Sequence, residues 1–367
     1  MSNFIFKKPG TLYSGLLLAA FLLLPSGNAL AQTVYVANEC NADTQNQPPC
    51  GSVSVINIAT RTVTATIPAG NFPYYLAITP DGSKLYVPNE TKLDQSNEVS
   101  VISTVLDKVI ANIPTQLEGY GVAINAAGTK AYVTASANGG GDASALVVDL
   151  GTGKVIDTIS FGNLFGSEFI ALTPDGTKGY ATAGSSQGAV LEIFNTVTDK
   201  VTKTINFDYI GKLAIARTPS GNRAYLPVGN SAVTVMDTDN DSVVATIQLA
   251  AGDDPYAAAV NPAGTMAYVI SSQAATLSVI NTATNTVVAT VQLPDIYLND
   301  VAVSWDGTQV YITKDRGFDN HSDVYIVDTA TNKLTGTVQF SGNSNYPSNA
   351  YGIVVQPIPT NTASSSR

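Results

Sequence analysis

Few side chains of this 367-residue sequence could do acid–base or metal chemistry. The only histidine, His321, lies among acidic residues in the polar segment 314–323. A histidine beside carboxylates could act as a general acid or base or as a metal ligand, although such a segment is also an ordinary solvated loop. The sequence contains no nucleophile elbow, no glycine loop for phosphate and no zinc-ligand spacing. We therefore predict no metal and no cofactor.

The chain around these residues is built from a repeat. One tyrosine recurs at intervals of 51, 46, 48, 45, 43 and 43 residues, usually after a glycine-containing turn such as Pro80–Lys84. Asp-Gly turns between apolar runs are typical of β-hairpins. Each repeat predicts four short strands, which in the second repeat fall at 76–79, 85–88, 99–103 and 109–113. The recurring tyrosines are Tyr35, Tyr86, Tyr132, Tyr180, Tyr225, Tyr268 and Tyr311.

A period of this length with four strands per repeat is typical of a β-propeller blade. One four-stranded sheet cannot bury both of its faces, whereas sheets arranged around an axis bury them against each other. We therefore predict an all-β, seven-bladed propeller of antiparallel blades over residues 32–358. Thr33–Asn38 resembles a second strand without a first, and Tyr351–Val355 a first strand without a second. These two segments are expected to share one blade and close the ring.

Several segments resemble the signature of the YVTN-repeat β-propellers. They include Tyr35–Asn38 (YVAN), Tyr86–Asn89 (YVPN) and Tyr132–Thr134 (YVT), together with the Pro-Asp-Gly turn and the Val-Ser-Val-Ile third strand. Segments 180–182 and 225–227 are looser copies. The resemblance covers nearly all of the mature chain. It implies the fold and an exported or surface-exposed protein, but it implies no shared catalytic set.

The loops that enter the first strands of a propeller surround the mouth of its central channel, where recognition commonly occurs. Tyrosine rings at such a mouth could stack on a sugar, a peptide or a flat cofactor, or they could wedge between blades and cap the core. The sequence leaves both interpretations open. The predicted mouth column is Tyr74, Tyr120, Glu168, Leu213, Tyr256, Asn299 and Tyr351. Further aromatic residues nearby are Phe72, Tyr75, Phe169, Tyr209, Tyr297 and Tyr346.

Arg217 occupies a position that is apolar in the other six first strands. A charge among apolar inner strands is costly unless it is paired. Lys212 lies just upstream, and Glu168 of the preceding repeat is a plausible partner. Arg217 is therefore either an anion-binding group at the channel or one half of an ion pair between blades.

The N-terminus has the pattern of a signal peptide over residues 1–31. Lys7 and Lys8 precede an apolar run at 16–24, and small residues follow at 29–31. Removing these two lysines changes the formal net charge from −10 to −12, which disfavours nucleic-acid binding. No second long apolar segment follows, so we expect no membrane span after cleavage. Residues 359–367 are predicted to be a disordered tail.

Cys40 and Cys50 are the only cysteines. In an oxidising compartment they are expected to form a disulfide across a polar loop, worth roughly 3 kcal/mol by loop-closure entropy. A metal pair or two free thiols are the alternatives, and zinc would need further ligands.

These patterns predict a monomeric, non-enzymatic binding protein in the periplasm, outside the cell or on its surface. Its partner is an unknown protein, glycan or small molecule held at the channel mouth. The alternative is an extracytoplasmic enzyme or redox subunit, such as a lactonase-like hydrolase, that uses Glu168, Arg217 and His321. A third possibility is a passive wall component without a ligand.

Overall fold

The computed structural model describes residues 32–40, 51–89, 97–137, 141–316, 321–340 and 348–357, except for the side chains of Cys40 and Ser348. The regular elements among these residues are all β-strands. No helix in these ranges is long and apolar enough to cross a membrane. The predicted signal peptide, the Cys40–Cys50 disulfide and the predicted tail lie outside the described residues.

The first two sheets have four antiparallel strands each and contain both ends of the described chain. Valine, isoleucine and tyrosine fill their central strands because these side chains pack well on a pleated, buried surface. The first sheet has the order β27-β1-β2-β3 and the second β4-β5-β6-β7. Their strands are β1 Thr33–Cys40, β2 Ser52–Asn57, β3 Thr62–Pro68, β27 Ser348–Val355, β4 Ala77–Ile78, β5 Lys84–Asn89, β6 Glu98–Ser103 and β7 Lys108–Pro114.

The next sheet has seven strands in sequence order, because one 19-residue strand belongs to two four-stranded groups. Its first part pairs with the strand before it, and its last part with the strand after it. Gly162 and Gly166, with φ of 76° and 47°, allow the backbone to turn between the two groups. The strands are β8 Glu118–Ile124, β9 Lys130–Ser136, β10 Asp142–Asp149, β11 Lys154–Leu172, β12 Lys178–Ser185, β13 Gly188–Asn195 and β14 Lys200–Phe207.

Three further four-stranded antiparallel sheets follow in sequence order. Each repeats the pattern of a half-buried first strand, two buried middle strands and an outer strand with alternating exposure. The strands are β15 Ala214–Thr218, β16 Gly221–Val228, β17 Ala232–Asp237, β18 Ser242–Gln248, β19 Pro255–Val260, β20 Met266–Ser271, β21 Thr276–Asn281, β22 Thr286–Gln292, β23 Leu298–Val303, β24 Gln309–Lys314, β25 Ser322–Asp328 and β26 Lys333–Phe340.

The two ends of the described chain meet in one sheet, as the sequence predicts. Strand β1 pairs with β27 on one side and with β2 on the other, and Val34 lies opposite Val355. The inner strands contact one another in the order β4, β8, β11, β15, β19, β23 and β27, and β27 contacts β4. The inner strands therefore surround a common axis.

The middle residue of each inner strand is small and half-buried, which places it on the side of the strand that faces the axis. Larger side chains would clash where the strands converge. These residues are Ala77, Ala123, Ala171, Ala216, Ala259, Ala302 and Val354.

The repeated tyrosines are buried between neighbouring sheets. The Tyr132 hydroxyl donates to the Thr196 carbonyl oxygen at 3.1 Å, in a turn of the next group of strands. Tyr180 makes a short hydrogen bond to Asp241 in the same way, and Lys178 Nζ lies 2.8 Å from that carboxylate. These two signature tyrosines thus connect successive groups of strands through their hydroxyls.

Candidate functional site

The predicted mouth column lies where the inner strands begin. Six of its seven side chains keep part of their surface accessible to solvent. Leu213 is buried and packs into the core, whereas Glu168 is exposed. The half-buried members are Tyr74, Tyr120, Tyr256, Asn299 and Tyr351.

Three tyrosines of this column contact each other across successive sheets. The ring of Tyr74 stacks on Tyr120 with centroids 5.8 Å apart and a 28° angle between planes. It also meets Tyr351 edge to face, with centroids 5.1 Å apart at 86°. The sequence left open whether these rings stack on a ligand or wedge between blades, and each interpretation describes part of the arrangement. The rings pack between sheets, yet each keeps an accessible surface.

Close contacts between neighbouring inner strands fix the position of these residues along the propeller axis. The Gly352 amide donates to the Tyr74 carbonyl oxygen at 2.7 Å, and Thr134 Oγ1 donates to the Glu168 carbonyl oxygen at 3.2 Å. A Cβ atom on Gly121 would lie 2.3 Å from that same Glu168 oxygen. Only glycine allows the two inner strands to approach this closely.

The next residue of each inner strand forms a layer beneath the mouth. Here Tyr75 and Phe169 are only 7% and 3% exposed, and Asp300 is fully buried. The Phe169 ring lies 5.4 Å from that of Tyr75 and 6.1 Å from that of Tyr256, both edge to face. These three rings come from three non-adjacent sheets, so they meet across the axis. The rings of Tyr75 and Phe169, which Tyr256 of the mouth column contacts from above, form a packed floor under the mouth.

The rings can meet because the remaining positions of this layer are small. A column of four glycine and alanine residues leaves the axis free for the side chains of the other three inner strands. The small residues are Gly121, Ala214, Ala257 and Gly352.

A buried ion pair completes the floor. Lys212 Nζ lies 2.5 Å from Asp300 Oδ2 and 5.2 Å from the centroid of the Tyr75 ring. The Asp300 carboxylate also accepts hydrogen bonds from the amides of Val301 at 2.8 Å and Ile353 at 2.9 Å. The ion pair joins two non-adjacent sheets and neutralises the lysine. Sequence reasoning missed Asp300, although a carboxylate in a column of small and aromatic residues was a visible signal.

The electrostatics of the mouth are acidic. Glu168 is accessible to solvent, yet desolvation by the surrounding protein raises the pKa of its carboxyl, as expected for a side chain in a recess. Burial and, among lesser causes, the nearby Glu168 carboxylate raise the pKa of Tyr256. Burial, with the carboxylates of Glu39 and Asp315, raises the pKa of Tyr351. Tyr256 and Tyr351 therefore remain neutral hydroxyl groups at physiological pH.

Arg217 is not a buried charge, contrary to the sequence-based expectation. It is exposed and lies opposite Asn222 beside the turn that ends β15. It lies four positions after Leu213 of the mouth column, or roughly 13 Å along a strand. No ion pair joins it to Glu168 within the described ranges. The sequence argument took apolar residues at this position as evidence of burial, but five of the six equivalents of Arg217 are only half-buried.

His321 lies in a separate group of charges between β24 and β25. Its Nδ1 is 3.3 Å from Asp323 Oδ2, and the buried Lys314 Nζ donates to the His321 carbonyl oxygen at 3.2 Å. Among the described residues, no hydrogen bond or ion pair links His321, Glu168 and Arg217. The same ranges contain no group of three or more side chains placed to hold a metal ion.

Comparisons with known proteins bear on the fold. No protein-family model matches the sequence, and no curated protein matches it. The structure is similar to a chain of the solved structure titled Kuenenia stuttgartiensis Hydrazine Synthase, with a TM-score of 0.64 and 21% sequence identity. The similarity covers 76% of this chain and 90% of that chain. At this identity the similarity concerns the fold alone. Together with the antiparallel four-stranded sheets, it shows that the chain has a β-propeller fold.

Proposed function

We propose that this chain is an exported, seven-bladed propeller of the YVTN type that binds a ligand or partner at its channel mouth and catalyses no reaction. Seven blades follow if β11 is counted both as the outer strand of one blade and as the inner strand of the next. The Cys40–Cys50 disulfide would then brace a loop of the blade that joins the two chain ends.

The observation that carries the binding proposal is the group of half-buried mouth tyrosines above a buried aromatic layer, which together we call the mouth recess. The rings of Tyr74, Tyr120 and Tyr351 are half-buried and leave part of their surface to solvent. Beneath them, the buried rings of Tyr75 and Phe169 pack edge to face. A concave site with aromatic walls and a few polar groups is the usual form of a small-ligand site.

The arrangement of the candidate catalytic residues supports binding over catalysis. General acid–base chemistry needs its groups within hydrogen-bond reach of one substrate atom. Glu168 lies at the mouth, Arg217 lies near the opposite end of its strand, and His321 bonds within its own charge group. The alternative of a lactonase-like hydrolase acting through these three residues therefore has little support.

The proposal is tested by unbiased capture of small molecules, glycans and proteins on the purified protein. Variants Tyr120→Ala and Tyr351→Ala are compared with Val288→Ser, which alters an exposed residue of outer strand β22. We expect a captured ligand that both tyrosine variants bind at least roughly tenfold more weakly, because stacking on each ring is lost. The control should bind as the wild type does. A ligand that all variants bind equally, or turnover of the captured compound, would contradict the proposal.

Export is tested separately. The N-terminus of the protein recovered outside the cytoplasm should begin at Gln32, after removal of residues 1–31. A cell-associated protein that still carries Met1 would refute export.

A further inference from the structure

We infer that the mouth recess binds an organic cation, a quaternary ammonium or protonated amine group held against the rings of Tyr74, Tyr120 and Tyr351 beside the carboxylate of Glu168. This inference rests on the proposed binding function and names the chemical class of the ligand.

The geometry of the rings favours a cation. Tyr120 and Tyr74 are stacked, whereas Tyr351 stands nearly perpendicular to Tyr74. Neighbouring rings at these angles present an aromatic face and an adjoining wall, as the cages that hold ammonium groups do. Because burial raises the pKa of Tyr351, its ring keeps a proton on the hydroxyl and stays neutral. The rings therefore offer their faces rather than charged phenolates.

The charges around the rings favour the same ligand class. Glu168 is exposed, and its carboxylate makes no hydrogen bond or ion pair to any other described residue. It is close enough to Tyr209 and Tyr256 to influence both hydroxyls. Glu168 also lies on β11, the inner strand next to the strand of Tyr120, so a cation held on the mouth rings would share their end of the propeller with an available carboxylate.

The other charged groups near the mouth are accounted for. Glu118 is buried and accepts a hydrogen bond from the Tyr120 hydroxyl at 3.4 Å. Lys212 is paired with Asp300, and Lys314 lies 3.7 Å from the Asp323 carboxylate. Further charged groups that face the mouth tyrosines or lie beside them are Glu39, Asp254, Asp315 and Arg316. The acidic groups outnumber the cations, and both lysines are already neutralised, so an anionic ligand would be repelled.

The test uses two probes of nearly equal shape, choline and its uncharged isostere 3,3-dimethylbutan-1-ol, titrated against the full protein by NMR or calorimetry. We expect choline to bind, and the neutral isostere to bind roughly tenfold more weakly, as loss of the cation–π and carboxylate contacts implies. Choline binding should also weaken as salt increases.

Variants assign the effect to the recess. Glu168→Gln keeps the shape of the side chain and should weaken choline but not the isostere. Tyr351→Phe keeps the ring and should bind choline as the wild type does, whereas Tyr351→Leu should not. Asp157→Asn removes an equal charge from an exposed position on the outer part of β11 and serves as the control.

The possible failures are distinguishable. Equal binding of both probes, or no binding of choline by a protein that captures a neutral or anionic ligand through Tyr120 and Tyr351, would overturn the cation inference and leave the proposed function standing. Absence of any ligand dependent on these tyrosines would overturn both.

Discussion

The ion pair between Lys212 and Asp300 should couple two sheets that are not neighbours in the propeller. Asp300 is fully buried, and its carboxylate accepts hydrogen bonds from Lys212 and from two backbone amides. The perturbation is a double-mutant cycle with Asp300→Leu, Lys212→Met and the double variant. Each single change removes one charge and leaves the other in place.

The magnitudes follow from burial. Breaking a buried pair from one side costs about 3–5 kcal/mol. Asp300→Leu leaves Lys212 without its partner, and because that lysine is 27% exposed we take the lower end of the range, about 3 kcal/mol. The two backbone amides also lose their acceptor, which brings the total to about 4 kcal/mol. Lys212→Met leaves the carboxylate with its two amide donors and should cost about 3 kcal/mol. The double variant holds no uncompensated charge, so we expect about 4 kcal/mol rather than the sum of about 7.

The assay is equilibrium unfolding in urea, followed by circular dichroism, with the free energy of unfolding obtained for each variant. Lys130→Met is the matched control, because Lys130 is about as exposed as Lys212 but its partner Asp199 is only half-buried, so its loss should cost about 1 kcal/mol or less. Single-variant losses that add to within about 0.5 kcal/mol in the double variant would refute the coupling. A loss below about 1 kcal/mol for Asp300→Leu would refute the estimate of burial.

Two further predictions concern stability. Burial raises the pKa of the Glu192 carboxyl in the folded protein. The stabilising effect of the protonated carboxyl is therefore complete below the pKa that Glu192 has in the unfolded chain, and it is lost as the pH rises through the higher pKa of the folded state. Glu192→Gln should therefore unfold at higher urea concentration than the wild type at neutral pH, and the difference should vanish at about pH 4; a constant difference would contradict this. Tyr180→Phe, which removes the hydroxyl bonded to Asp241, should lower the free energy of unfolding by about 2 kcal/mol. In the control Tyr268→Phe, the lost hydroxyl makes no hydrogen bond to a described residue, and equal losses in the two variants would contradict an intersheet role for the bond.

Much of the fold could be predicted from the sequence because the signals are local and repeated. The strands predicted for the second repeat agree with β4 to β7 to within a few residues. The pairing of the two chain ends follows from the incomplete repeats at Thr33–Asn38 and Tyr351–Val355. The continuity of β11 across two groups of strands was not predicted, because Gly162 and Gly166 indicate a turn and do not show how the flanking segments pair.

The candidate site could be predicted only in part. Position in the repeat placed Tyr74, Tyr120 and Tyr351 at the mouth, since equivalent residues of each inner strand lie at the same height. The same argument misjudged Arg217, because most of the apolar residues at its position in the other repeats are only half-buried. It also missed Asp300, whose partner Lys212 is 88 residues away in the chain.

The sequence by itself determined the repeat, the strand order within each sheet and the small residues along the axis, because these depend on side-chain size and turn chemistry within some forty residues. Only the tertiary structure decided which side chains meet across the axis. Tyr75, Phe169 and Tyr256 belong to sheets that are not neighbours in the chain, and they touch because glycine and alanine at the intervening positions leave space there. No local sequence pattern predicts such a contact, because it depends on the space around the axis that the side chains of all the other inner strands leave empty.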